Sequence, residues 1–381
     1  MTVSHSVQQL KTVLVLSLAF LATGCPGEVP KPGTSSPTAT KPTTEPQATD
    51  DLKRIILLTN GSSPFCDACL MGLQDADREL KLKAAGLTAV MEENDGTPSG
   101  QLAKLQQYGT QSDIAAIGIS VTDASNIAIA EEMKKLAEKG IKVVTIDGDC
   151  TKYRDAREVF LGTDNIVGGQ ELGVCAKILN PKGGGWVSFV GITCAQNAIE
   201  RVSGFGTGAG KNFNKIDNMG DNFDLTKARD NVRNAIANHK GKLTTLVGIW
   251  SYNAPAIVDV VRELDCRKEY TIVTFDAEPG AIKEMQKGMI DCMVVQNPYK
   301  MGYEGVRLMR ALIEDDTATM NAMYPNLGKP NGDLFDTGLK VVVPDKQSEL
   351  WKQKDKFQKN TEVLTLEEFT AWLKQYGLKG S

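Results

Sequence analysis

Three short apolar runs of this chain each end on a side chain suited to gripping a hydroxyl: 143–147 at Asp147, 272–276 at Asp276 and 293–296 at Gln296. Runs this rich in β-branched residues read as strands buried on both faces by helices, as the strands of parallel sheets are. In open α/β sheets, ligands bind in the crevice outside the carboxyl ends of the strands, so polar residues there converge on one site. A carboxylate in that place accepts hydrogen bonds from two neighbouring hydroxyls. Asp is also a common cap for the loop or helix that follows, and one alone would carry little weight. Three at equivalent strand ends point to a sugar-like ligand.

With 381 residues and 41% hydrophobic side chains, the chain is long enough for one large or two medium domains. Its formal charge of −4 and the lack of a Lys/Arg block argue against nucleic acid or an anionic membrane surface as a partner. Residues 12–23 form an apolar segment preceded by Lys11, too short to span a bilayer, and read as a signal peptide. It runs into Leu21-Ala22-Thr23-Gly24-Cys25, which resembles the lipobox of bacterial lipoproteins, although Ala22 stands where a large aliphatic residue is usual. That resemblance implies a chain beginning at an acylated Cys25. An ordinary secreted cysteine and an uncleaved membrane anchor are the alternatives. From Pro26 to Asp51 the chain is mostly Pro, Thr and Ser, a tether kept extended by proline at about 3 Å per residue.

Beyond Lys53, strand-like and helix-like stretches alternate, as a doubly wound parallel sheet requires. The first half offers strands at 54–59, 87–92, 114–119 and 142–147, with Gly140 as a helix C-cap. The second offers 186–191, 215–220, 244–250, 270–275 and 291–296. The expected fold class is α/β, two doubly wound parallel-sheet lobes joined by a multi-crossing hinge. The N-terminal lobe is expected at 52–161 plus 298–325 and the C-terminal lobe at 162–297 plus 326–343. Crossings are placed near Phe160 to Gly162, at Asn297 to Pro298, and in the 320s to 330s. Residues 344–381 read as a C-terminal extension of two amphipathic helical stretches, a decoration on one lobe or a partner-binding helix.

Six segments taken in order resemble the type I periplasmic binding proteins of the ribose and galactose kind, the sugar-capturing components of ATP-binding cassette importers. They are 62–80 (SSPFCDACLMGLQDADREL), 145–149 (TIDGD), 162–173 (GTDNIVGGQELG), 197–205 (NAIERVSGF), 274–280 (TFDAEPG) and 296–306 (QNPYKMGYEGV). Lactose-repressor-type transcription factors share that sensor fold, but here a signal segment stands where their DNA-binding helices would be. The resemblance implies that Phe65 stacks on the C–H face of a sugar, that Asp147 and Asp276 hold hydroxyls from opposite lobes, and that Gln296 acts at the hinge. A core aromatic beneath the first helix is the alternative for Phe65.

The departures are as informative. Where the ribose-type pattern has two ligand-gripping arginines, this chain has Gly148 and Ile199. Asn197 and Ser63 are expected to take over contacts, and Tyr252 or Asn253, in a segment that also holds Trp250 and Ser251, to touch the ligand. Arg201 is expected to pair with structural carboxylates. The ligand is therefore expected to be a monosaccharide or polyol other than ribose. The resemblance further implies a binding protein with no catalytic residue, no metal and no cofactor. It implies a monomer, periplasmic or at the cell surface and lipid-anchored, whose partner is a membrane permease. A sensory receptor module with a signalling partner is the alternative role.

Seven further cysteines, at 66, 69, 150, 175, 194, 266 and 292, leave connectivity open. Bridges among Cys66, Cys69 and Cys150, or between Cys266 and Cys292, stand beside buried free thiols as readings. Cys66-Asp67-Ala68-Cys69 also has the spacing of dithiol redox proteins, the second alternative function. Gly204 to Lys211 only superficially resembles a phosphate loop, with Phe205 at the first glycine place and Asn212 after the lysine. With His5 and His239 as the whole histidine complement, neither a zinc site nor a nucleophile with a histidine base is expected.

Overall fold

The computed structural model describes residues 52–381, so the expected signal segment, Cys25 and tether lie outside the described residues. The chain starts with β1 (Lys53–Leu58), α1 (Pro64–Glu79), β2 (Leu87–Glu92), α2 (Pro98–Tyr108), β3 (Ile114–Ile119), α3 (Ile127–Glu138), β4 (Lys142–Ile146) and β5 (Phe160–Gly162). It continues through α4 (Asn165–Leu179), β6 (Gly184–Val190), α5 (Gln196–Ala209), β7 (Phe213–Gly220), α6 (Leu225–Asn238), β8 (Leu243–Gly248), α7 (Asn253–Glu263), β9 (Thr271–Phe275), α8 (Pro279–Gln286) and β10 (Cys292–Val295). Then follow α9 (Pro298–Ile313), α10 (Thr317–Met323), β11 (Leu334–Asp336), β12 (Leu339–Val343), α11 (Glu349–Lys352), β13 (Thr361–Thr365) and α12 (Leu366–Gln375).

These strands form two sheets, one ordered β11-β5-β4-β3-β1-β2 and the other β13-β12-β10-β9-β8-β6-β7. Every pairing is parallel except β10 with β12. The reason lies in the strand sequences. In β1, Ile55 and Leu57 enter the core on one face while Ile56 and Leu58 enter the core on the other, so the run must be apolar throughout. In the second sheet Ile272 and Met293 face one core, Val273 and Val294 the other.

Among the described residues the chain passes between the sheets three times: after β5, at Asn297 to Pro298 between β10 and α9, and at Thr337 to Gly338 between β11 and β12. The third crossing lies in the expected 330s, but the lobe boundary expected after residue 325 moves to 336, because Leu334–Asp336 pairs with Phe160–Gly162 and so belongs to the first sheet. The reading of 344–381 as two helical stretches is also corrected. Its first part holds only the four-residue α11 and a 3₁₀ turn, and Thr361–Thr365 adds β13 to the edge of the second sheet, parallel to β12. Only α12 is a full helix, started by a capping box between Thr365 and Glu368.

Candidate functional site

Asp147 follows β4 directly and Asp276 follows β9, at the carboxyl edges of the two sheets. Each adopts a left-handed backbone, with φ of 66° and 62°. Around Asp147, burial pushes the carboxyl up to about 6, against the opposing hydrogen bond from Ser120; Arg201 also lowers it, and Asp276 raises it. Those last two groups sit beside the second sheet, so residues from both lobes share one electrostatic environment. Ser120 Oγ donates to Asp147 Oδ2 at 2.9 Å. Ser120 immediately follows β3, a strand end as informative as the other three, and sequence reasoning passed over it.

Asp276 is buried, which raises its carboxyl above the ordinary range against the pull of Arg201 and of Gln296. Gln296 Nε2 donates to Asp276 Oδ1 at 3.0 Å, so the amide that follows β10 holds the carboxylate that follows β9. Arg201 lies 3.9 Å from Asp276 Oδ2, with its guanidinium carbon 3.9 Å above the centre of the Phe275 ring. It donates to Asn165 Oδ1 and to Ile249 O, and enclosure lowers its affinity for its proton. In place of the expected pairing with structural carboxylates, the carboxylate beside Arg201 is Asp276 itself, and the hydrogen bonds of Arg201 go to an amide and a backbone carbonyl.

Both arginine replacements have visible surroundings. The Gly148 carbonyl accepts from the Val121 amide, and a Cβ on Gly148 would stand 2.8 Å from Val121 O, so the backbone at this point has closed over the space a side chain needs. Ile199, by contrast, is half exposed on α5 and carries an apolar group where the ribose-type pattern has an arginine.

The segment 250–253 does not behave as one unit. Asn253 is fully buried at the start of α7, donating to Asp221 Oδ2 at 3.0 Å and accepting from the Trp250 amide. Both ends of its amide are used inside the protein, which corrects its expected place as a ligand contact. Tyr252 donates its hydroxyl to Asp221 Oδ1 at 2.5 Å, leaving its ring as the available surface. Ser251 Oγ donates to Glu278 at 2.6 Å. Trp250 Nε1 donates to Asn197 Oδ1 at 3.3 Å, which fixes the indole.

Against these rings stands Phe223, which sequence reasoning missed. Two consecutive left-handed residues, Asn222 and Phe223, turn the chain after β7, and the ring emerges 62% exposed. Its centroid lies 5.3 Å from Trp250 and 6.2 Å from Tyr252. Three aromatic rings thus form an apolar shelf at the carboxyl edge of the second sheet, a surface suited to the C–H face of a ring sugar. On the first lobe Phe65, in the first turn of α1, is half-buried against the core and Ser63 is exposed at the helix N-cap without capping it.

The thiol alternatives are tested by the same geometry. All seven cysteines among the described residues are free, which corrects the bridges considered above. Burial pushes Cys66 and Cys69 up, the opposite of the lowered thiol that dithiol exchange uses. Gly204 to Ala209 lies within α5, not after a strand.

A family model described as "Periplasmic binding protein domain" matches residues 55–317. The chain belongs to the periplasmic binding protein family. Among curated relatives, the ribose import binding protein of Haemophilus influenzae is 26% identical over 255 residues, 64% of this chain and 80% of that protein. Among solved structures, a solute-binding protein of Burkholderia graminis, in complex with D-arabinose, aligns with a TM-score of 0.66 at 24% identity, covering 78% of this chain and 96% of that one. GanP, a glucose-galactose binding protein from Geobacillus stearothermophilus, aligns at 0.65 and 21% identity, covering 77% and 97%. The fold is that of the type I periplasmic binding proteins, as the six resembling segments implied.

Proposed function

We propose that this periplasmic binding protein captures a neutral monosaccharide or related polyol between its lobes and delivers it to an ATP-binding cassette permease. The observation that carries this reading is the pair Asp147 and Asp276, held at equivalent strand ends of different sheets, with Asp276 near enough to raise the Asp147 carboxyl. A carboxylate from each lobe can accept hydroxyls of one ligand, with the rings of Phe223, Trp250 and Tyr252 covering an apolar face. Contacts from both lobes favour the closed form, and a permease that recognises that form receives only loaded protein. Asn197, Ser63 and Phe65 complete the ligand shell, Gln296 orients Asp276, and Cys25 carries the lipid that holds a monomeric protein at the membrane on its tether.

Neutrality of the ligand follows from charge. The cation nearest the carboxylates, Arg201, is buried and directed at Asn165, Ile249 and Asp276. A ligand carboxylate would meet Asp147 and Asp276 with neither of the arginines that stand at 148 and 199 in the ribose-type pattern.

Isothermal titration of the purified protein with aldopentoses, aldohexoses, polyols and the matching uronic acids tests the reading. Saturable binding of one neutral sugar, at least about tenfold tighter than its uronate and lost in Asp276→Ala, is expected. Heat-silent mixing with every compound, in protein freed of copurified ligand, would refute it.

A further inference from the structure

The residues after α12 reach the ligand site from behind. Leu378 packs into the second-lobe core beside Leu373, and Gly380 and Ser381 then run against the loop that follows β9. Ala277 N donates to Ser381 O at 2.7 Å and Ser381 N donates to Ala277 O at 3.1 Å, a two-bond bridge to the residue adjoining Asp276. Ser381 Oγ donates to Gln296 O at 3.4 Å. Ser381 is 3% exposed, and a Cβ on Gly380 would stand 2.7 Å from Ala277 O, so the strand of backbone fits with no spare room. Asp276 and Gln296, the bonded pair on the second lobe, are therefore both held by one segment.

A few residues earlier the same segment touches the other lobe. Tyr376 sits with its ring 4.1 Å from that of Tyr299, braced by Trp372 at 5.6 Å. Tyr299 is the second residue of α9, just past the crossing at Asn297 to Pro298, and its hydroxyl donates to Asp75 of α1 at 2.7 Å. The segment is rooted in the second sheet through β13 and rests on first-lobe residues at the hinge.

We propose that Tyr376 and Ser381 are positioning residues for the ligand site: Ser381 fixes the loop bearing Asp276, and the Tyr376–Tyr299 stack sets how the lobes move at the crossing. Ordering that loop before ligand arrives removes an entropy cost from binding, so its loss shows mainly as faster release. The affinity part of this rests on the sugar-binding reading; the pinning of the loop does not.

The test uses the full chain, a variant ending at Leu378, Gly380→Ala, the exposed-site control Lys379→Ala, and the pair Tyr376→Ala and Tyr376→Phe. Hydrogen exchange of the Ala277 amide is followed without ligand, alongside thermal unfolding and, for the sugar found by titration, the dissociation rate. In the shortened variant and in Gly380→Ala, Ala277 exchange is expected to quicken at least tenfold and sugar release to quicken several-fold, with Lys379→Ala unchanged. Tyr376→Ala is expected to speed release and Tyr376→Phe, which keeps the ring, to restore it. Unchanged Ala277 exchange in both the shortened chain and Gly380→Ala overturns the pinning, whether or not any sugar binds. Faster exchange with an unaltered release rate overturns the positioning role. Absence of sugar binding in the parent chain refutes instead the reading of the site.

Discussion

Asp147 and Asp276 leave their strands in the same left-handed conformation, and each amide donates across to the next strand of its own sheet, Asp147 N to Leu161 O and Asp276 N to Val294 O. The two lobes thus present their strand-end carboxylates by one device used twice. Residues other than glycine pay a steric penalty in this region, and Asp tolerates it better than most.

Backbone strain and ligand contact can therefore be separated by substitution. Asp276→Gly and Asp276→Ala both remove the carboxylate and should both abolish sugar binding. Urea unfolding should nevertheless find the glycine variant more stable than the alanine variant by about 1 kcal/mol, because glycine adopts φ near +60° without the Cβ clash. Equal stabilities would mean that the left-handed backbone at Asp276 carries no strain.

The raised carboxyl of Asp147 gives a pH signature. A carboxyl that titrates at about 6 in the folded protein and near 4 when unfolded binds more protons folded than unfolded between those values. Its contribution to stability is then present below about pH 4 and is lost as pH rises through about 6. The unliganded wild type should lose stability relative to Asp147→Asn by up to about 1.4 kcal/mol per pH unit across that window, and by no more above it. Urea unfolding of both proteins from pH 4 to pH 8 measures the difference. Because ligand hydroxyls donate to the charged form, sugar affinity should fall below pH 6, by up to about tenfold per unit. A difference that is flat with pH would place the titration of Asp147 elsewhere.

The aromatic shelf divides into a contact and its support. Phe223→Ala removes a ring that is mostly in solvent, so stability should stay within about 0.5 kcal/mol while sugar affinity weakens by about 1 kcal/mol, roughly fivefold. Tyr252→Phe keeps the ring but takes a donor from buried Asp221, which should cost about 1–3 kcal/mol of stability. Titration and urea unfolding on the two variants should thus give opposite patterns; affinity unaffected by Phe223→Ala would remove the shelf from the site.

Near the first crossing, Arg157 makes a bidentate pair with Asp149 through Nε and Nη2 and reaches Asp333 through Nη1 at 2.6 Å, with its side chain 1% exposed. Arg157→Ala leaves Asp149 without a cation, while Asp333 keeps its pairing with Arg154. Unfolding should record a loss of about 3–5 kcal/mol, far above that for the exposed pair Arg78–Asp75. A loss near that of a surface pair would show that Asp149 relaxes into water.

What the sequence made legible follows from what period and punctuation encode. The strand-end places of Asp147, Asp276 and Gln296 could be read because a β-branched run states where a strand lies and the residue after it states what sits at the sheet edge. Ser120 obeys the same rule but closes a run with a small hydroxyl that attracts no notice. Phe223 lies in a turn whose left-handed pair, Asn222 and Phe223, has no glycine to announce it. Asn253 looked available because its type suits a sugar, yet the start of α7 turns it inward onto Asp221, a contact made over 32 residues of chain. The strand at Thr361–Thr365 was hidden because five residues directly ahead of an amphipathic helix carry too little pattern of their own, and the edge of β12 recruits them. The lobe boundary drawn after residue 325 slipped for a similar reason, since three-residue β11 is a strand only by virtue of β5 beside it.

The most direct measurement is a crystal structure of the protein with the sugar that titration identifies. One sugar molecule should accept both lobes at once, with a carboxylate oxygen of Asp147 and one of Asp276 each within about 3 Å of its hydroxyls and the Phe223 ring against its C–H face. A sugar bound to one lobe alone, or away from both carboxylates, would contradict the capture of a ligand between these two strand ends.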